Sequence, residues 1–112
     1  MSVTESFNIS LQPMEALSLI KDELSQSTEL IHEEFNEISA NLCIGTLIYE
    51  RYFFRSGNQA GLVVIIDNLH GVTNVRLIAL AASNSLVFKI DWGASKSFAA
   101  SVEKILSRYI ID

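Results

Sequence analysis

The sequence predicts an α+β fold: an antiparallel meander of about five or six strands, an N-terminal helix, and a long C-terminal helix packed on one face in a helix-grip-like arrangement. Three observations predict it. From Leu42 to Trp92 the chain is nearly continuous apolar strand material, rich in β-branched and aromatic residues. Short polar turns interrupt that run at Ser56-Gly57-Asn58, from Asn68 to Gly71, and at Ser83-Asn84-Ser85, as in a chain of consecutive antiparallel strands. Behind Gly93, apolar residues then recur at helical spacing to the end of the chain.

Taken in order, Phe7, Ile9 and Leu11 alternate with polar residues and read as a short first strand. Pro13 suits the first helical position, where its missing N–H is no loss. Met14, Leu17, Ile20 and Leu24 follow as one apolar stripe, predicting a helix over 13–25. The stretch Glu29–Ile38 is two-valued. Ile31, Phe35 and Ile38 fit a helix face, whereas Ile31, Glu33, Phe35 and Glu37 fit an alternating strand, and strand is the preferred reading. Four strands follow over 42–55, 61–67, 72–82 and 86–91. Gly93-Ala94-Ser95 ends the last of them and offers Ser95 as a helix N-cap. Phe98, Val102, Ile105, Leu106 and Tyr109 form the apolar face of the final helix, with Lys104 and Arg108 near its negative end.

The strands carry more apolar surface than one face can use. In Leu62-Val63-Val64-Ile65-Ile66 both parities are apolar, although a sheet with one wet face would alternate with polar residues. Two helices cover one side of such a sheet. The other side needs a partner chain, an apolar ligand or further protein.

Composition narrows the function classes. At 112 residues the chain is a single domain, 1–112, and 49% apolar content argues against disorder. No apolar run reaches the ~20 residues of a membrane span, and the N-terminus shows neither basic nor apolar signal region. With Cys43 as the one cysteine, no internal disulfide forms, which suits a reducing cytoplasm. Residues 1–41 hold eight acids (Glu5, Glu15, Asp22, Glu23, Glu29, Glu33, Glu34, Glu37) against Lys21 alone. No basic stripe exists for a nucleic-acid backbone or an anionic membrane.

Catalytic and metal motifs are absent. His32-Glu33-Glu34 lacks the second histidine that a zinc helix needs, since position 36 is Asn36. Cys43 has no ligand at metal spacing and lies in an apolar run, where a thiol is inert. Ser56, Asp67 and His70 lie near turns without a nucleophile elbow. The scattered glycines make no phosphate loop, so no cofactor is implied. Charges inside strands read first as cross-strand pairs among Glu50, Arg51, Arg76, Lys89 and Asp91. The sharper reading is an aromatic-basic patch of Tyr49, Arg51, Arg55 and Arg76 for an acidic partner or an anionic ligand head. Trp92 stands at the strand-to-helix junction, where it packs the helix end or adds to that site.

The junction Leu86-Val-Phe-Lys-Ile-Asp-Trp-Gly-Ala-Ser, with Tyr49-Glu-Arg-Tyr-Phe-Phe-Arg-Ser-Gly-Asn, resembles a family of small bacterial proteins known as a domain of unknown function. The resemblance implies a strand for residues 29–37 and a bacterial cytosolic setting, and no activity or cofactor. The function expected is a non-catalytic binding or association module, forming a homodimer through its sheet. The alternative is a helix-grip-like carrier of a small apolar or amphipathic ligand, with an enzyme in the same cavity third.

Overall fold

The computed structural model describes residues 2–24, 28–53, 58–82 and 92–111. Its elements are β1 (Ser2–Ile9), α1 (Pro13–Glu23), β2 (Thr28–Ser39), β3 (Leu42–Phe53), β4 (Asn58–Asp67), β5 (Thr73–Ala82) and α2 (Trp92–Leu106), then a 3-10 turn at Ser107–Tyr109. The strands form one antiparallel sheet in the order β1-β5-β4-β3-β2. Residues 28–39 are therefore strand. The strand expected over 86–91, Ser56-Gly57 and Ser83-Asn84-Ser85 lie outside the described residues, whereas Asn58, expected in the turn, opens β4 ahead of the expected start at Gly61.

Several features differ from expectation. The first strand runs from Ser2 to Ile9 and stops before Leu11, because Ser2, Thr4, Ser6 and Asn8 pair along β5 as readily as apolar residues. Backbone pairing needs no apolar side chain. The final helix begins at Trp92 and not after a cap at Ser95. In α1 the buried stripe is Pro13, Ala16, Leu17 and Ile20, while Met14 is 54% exposed. Ala16, fully buried, belongs to the stripe in which Met14 was expected.

Pro13 opens α1, and the Gln12 backbone N–H donates to Glu15 Oε1 at 3.0 Å, satisfying a donor at the helix entrance. Both helices lie on the same side of the sheet. Leu17 of α1 packs on Gly45 of β3, and α2 buries Phe98, Ala99, Val102 and Leu106 completely. Against them stand Leu47 and Tyr49, then Leu62, Val64 and Ile66, then Val75, Leu77 and Ala79. That is one parity from each of three adjacent strands, as a single core layer requires.

The chain end returns to β1. Ser10 N–H donates to Tyr109 O at 2.9 Å and Ile111 N–H to Asn8 O at 3.0 Å, around a bridge between Ile9 and Ile110. No helix among the described residues is long and apolar enough to cross a membrane.

Candidate functional site: the open sheet face

The parity that the helices leave uncovered is itself apolar at its centre. Across the strands, one row reads His32, Ile48, Val63, Ile78 and Thr4. The next reads Glu34, Thr46, Ile65, Arg76 and Ser6. Ile44, Ile48, Val63, Ile65 and Ile78 are half-buried among their neighbours alone, and Leu80 is 50% exposed. The sides of the face differ in character. β2 supplies Glu29, His32 and Glu34, whereas β1 supplies uncharged Thr4, Ser6 and Asn8.

One ion pair is set into this face. Arg76 Nη2 donates to Asp67 Oδ2 at 2.9 Å, and Leu69 N–H donates to Asp67 Oδ1 at 3.1 Å. Arg76 lies opposite Ile65, two residues from Asp67, so the two meet on the diagonal of neighbouring strands. The Asp67 side chain is 6% exposed and that of Arg76 43%. Arg76 Nε–H is buried with no acceptor among the described residues. Arg76 thus pairs with Asp67, which was not among its expected partners; Lys89 and Asp91 lie outside the described residues.

The aromatic-basic patch is divided by the sheet. Tyr49 and Arg51 share the parity that faces the helices, while Arg76 stands on the opposite face. Arg55 and the side chain of Trp92 lie outside the described residues. Tyr49 is buried, its hydroxyl without a partner among the described residues, and burial together with the Glu33 charge raises its pKa above the usual phenol range.

The His32-Glu33-Glu34 run is divided too. His32 Nε2 meets Glu34 Oε1 at 2.7 Å on the open face, while Glu33 turns to the helix side and pairs with Lys21 Nζ at 2.6 Å. Among the described residues no group of three metal-ligating side chains converges. Cys43 is half-buried, and burial, with the charges of Glu37 and Asp67, raises its thiol pKa.

Sequence reasoning missed Asp67 and Asn68 as structural groups. The side chain of Asn68 clasps the adjacent turn: its Oδ1 accepts from Cys43 N–H at 2.9 Å, and its Nδ2 donates to Asn41 O at 3.0 Å. The available signal was an Asn directly after a strand, a residue that often completes turns.

A family model, described as a family of unknown function (DUF6054), matches residues 1–110. The chain belongs to that family. The DUF6054 assignment covers the whole sheet and both helices, so the open face lies within the family's domain and is not an appendage. Searches of the curated proteins and of the solved structures find nothing that matches this chain.

Proposed function

We propose that this DUF6054 chain is a non-catalytic association module that works as a homodimer, two copies meeting through their open sheet faces. The observation that carries it is the one-sided placement of both helices, with Ile48, Val63, Ile65 and Ile78 at the centre of the uncovered side. A contiguous apolar patch of that kind marks an interaction surface. Size favours a second copy. Five strands about 4.8 Å apart, each giving about eight residues at ~3.3 Å, make a face of roughly 24 by 26 Å. That approaches the ~800 Å² per partner of a standard stable interface. Edge-to-edge pairing through β2 is disfavoured, because Glu29, Glu33, Glu34 and Glu37 would meet like charges. The single half-buried Cys43 suits a module working in the cytosol.

Sedimentation at micromolar concentration tests this. The native chain is expected to run as a dimer, and Val63→Glu as a folded monomer with unchanged far-ultraviolet dichroism. A native chain that stays monomeric at high micromolar concentration overturns the reading.

One observation favours a second reading, a helix-grip-like carrier holding an amphipathic molecule between sheet and α2. The Tyr49 hydroxyl, buried on that side without a partner among the described residues, is a donor that a ligand acceptor would satisfy. Against it, Phe98, Val102 and Leu106 fill the space beneath α2 with fully buried side chains. Native mass spectrometry of protein from its own host decides: a co-purifying small molecule supports the carrier, and the bare chain mass removes it.

A further inference from the structure

We infer that the two-fold axis of the dimer runs along β4, so that the acidic strand β2 of one copy lies over β1 of the other and Glu34 reaches Arg76 of the second copy. This rests on the homodimer reading above and specifies its geometry. Two identical sheets that pack face to face with roughly aligned strands have two symmetric arrangements, with the axis along the strands or across them. An axis across the strands lays β2 on β2. It brings Glu34 of one copy against Glu29 and His32 of the other, beside Glu50, and so presses acid on acid as water leaves the interface.

An axis along the strands avoids this. β4 is the middle strand of five, so it lies on the axis and meets itself. β3 then covers β5, and β2 covers β1. Val63 meets Val63, and Ile48 meets Ile78, which assembles the apolar centre. In the neighbouring row Glu34 comes over Ser6, and Arg76 stands beside Ser6 at one strand spacing, about 4.8 Å. The strand receiving the acids is uncharged at Thr4, Ser6 and Asn8.

Arg76 has a donor to offer. Its Nη2 is engaged by Asp67, but its buried Nε–H has no acceptor among the described residues. Glu34 uses Oε1 for His32, and among the described residues its Oε2 carries no bond. A charge-assisted bond between the copies would engage Glu34 Oε2 with the Arg76 guanidinium, whose side chain is 43% exposed. Asp67 also falls near the axis, where it meets its own copy already neutralised by Arg76 and shielded at 4% exposure.

The test uses cross-linking across the interface in a Cys43→Ser background. Glu34→Cys and Ser6→Cys are surface positions that leave the core untouched. A short bismaleimide spans the ~10 Å between packed sheets but not the ~19 Å of lateral offset that separates β2 from its symmetry mate. The expected result is a covalent dimer when the two variants are mixed and allowed to exchange, and none from either alone. Glu34→Gln is expected to weaken dimerisation by at least about tenfold, near the lower end of the range for one close interfacial charge pair. Cross-linking of Glu34→Cys alone overturns the axis assignment and leaves the homodimer standing. A dimeric chain whose mixed variants do not cross-link overturns the axis in the same way. A monomer by sedimentation removes both.

Discussion

Leu17 rests on the bare backbone of Gly45. A Cβ at that position would overlap Leu17 Cδ1 and press its Cγ at 3.2 Å and Cδ2 at 3.3 Å. Glycine is there for closeness, since it lets α1 approach β3 near the end of the sheet. Gly45→Ala is expected to destabilise the fold by about 1–3 kcal/mol through overpacking. Urea denaturation with an unchanged slope measures it. Adding Leu17→Ala to Gly45→Ala should cost less than Leu17→Ala costs the native chain, because the new methyl then enters vacated space.

Asn68 ties the turn after β4 to the turn before β3, beside the end of the β3–β4 ladder at Ile44 and Asp67. Asn68→Ala removes its bonds to Cys43 N–H and Asn41 O, at 2.9 and 3.0 Å. The expected cost is about 1–3 kcal/mol, because a half-buried backbone donor loses its acceptor. Amide hydrogen exchange should quicken at Cys43 while the centres of β4 and β5 stay protected. Uniform loss of protection would show instead that Asn68 supports the whole fold.

The strands were legible because both parities of Leu62–Ile66 are apolar, and the run's shortness, its bounding turns and its β-branched residues favour a strand over a buried helix. The division of the candidate patch was not. Parity places Tyr49 and Arg51 together within β3, but which parity of β5 shares their face depends on register across two ladders. Arg76 falls opposite Ile65 and hence on the other side, a fact no single-strand pattern contains. The exchange of Met14 for Ala16 in the buried stripe has a related cause. Helical spacing places several residues near that stripe, and the buried ones are Pro13, Ala16, Leu17 and Ile20.

Arg76 neutralises a carboxylate that has little water of its own. Arg76→Met keeps the apolar stem but leaves Asp67 with the Leu69 N–H as its remaining partner. The expected loss is about 1–3 kcal/mol, moderated by the partial exposure of the Arg76 end. The double variant Asp67→Leu with Arg76→Met is expected to recover most of it. Thermal unfolding of Arg76→Met, Asp67→Leu and the double variant, run at one concentration, checks this; a double-variant loss equal to the sum of the two single losses would show that the pair is not coupled.

Cys43 should react slowly at neutral pH. Burial first, then the charges of Glu37 and Asp67, raises its pKa, so the thiolate is scarcer than in a free cysteine. Alkylation followed by mass spectrometry should give a rate that climbs only above the ordinary thiol range. The linkage has the same sign. A thiol that holds its proton more tightly when folded favours the native state below the unfolded pKa, and that advantage is lost as pH rises through the folded one. Cys43→Ala should remove this part of the alkaline decline.

Tyr49 separates the two functional readings in one substitution. Its hydroxyl is buried and unpartnered among the described residues, and an unsatisfied buried donor carries a desolvation penalty of roughly 1–3 kcal/mol. In a chain that carries no ligand, Tyr49→Phe should therefore be neutral or stabilising by about 1 kcal/mol. Its pKa is raised by burial and then by Glu33, so the folded state keeps the phenol proton more tightly than the unfolded chain does. Stability is thus intact below the ordinary phenol range and falls as pH rises through the raised value, and Tyr49→Phe should abolish that fall. Denaturant melts of both chains at neutral and strongly alkaline pH measure the difference. A Tyr49→Phe chain that is clearly less stable than the native protein purified from its own host would mean that the hydroxyl is satisfied there, which favours the bound-ligand reading.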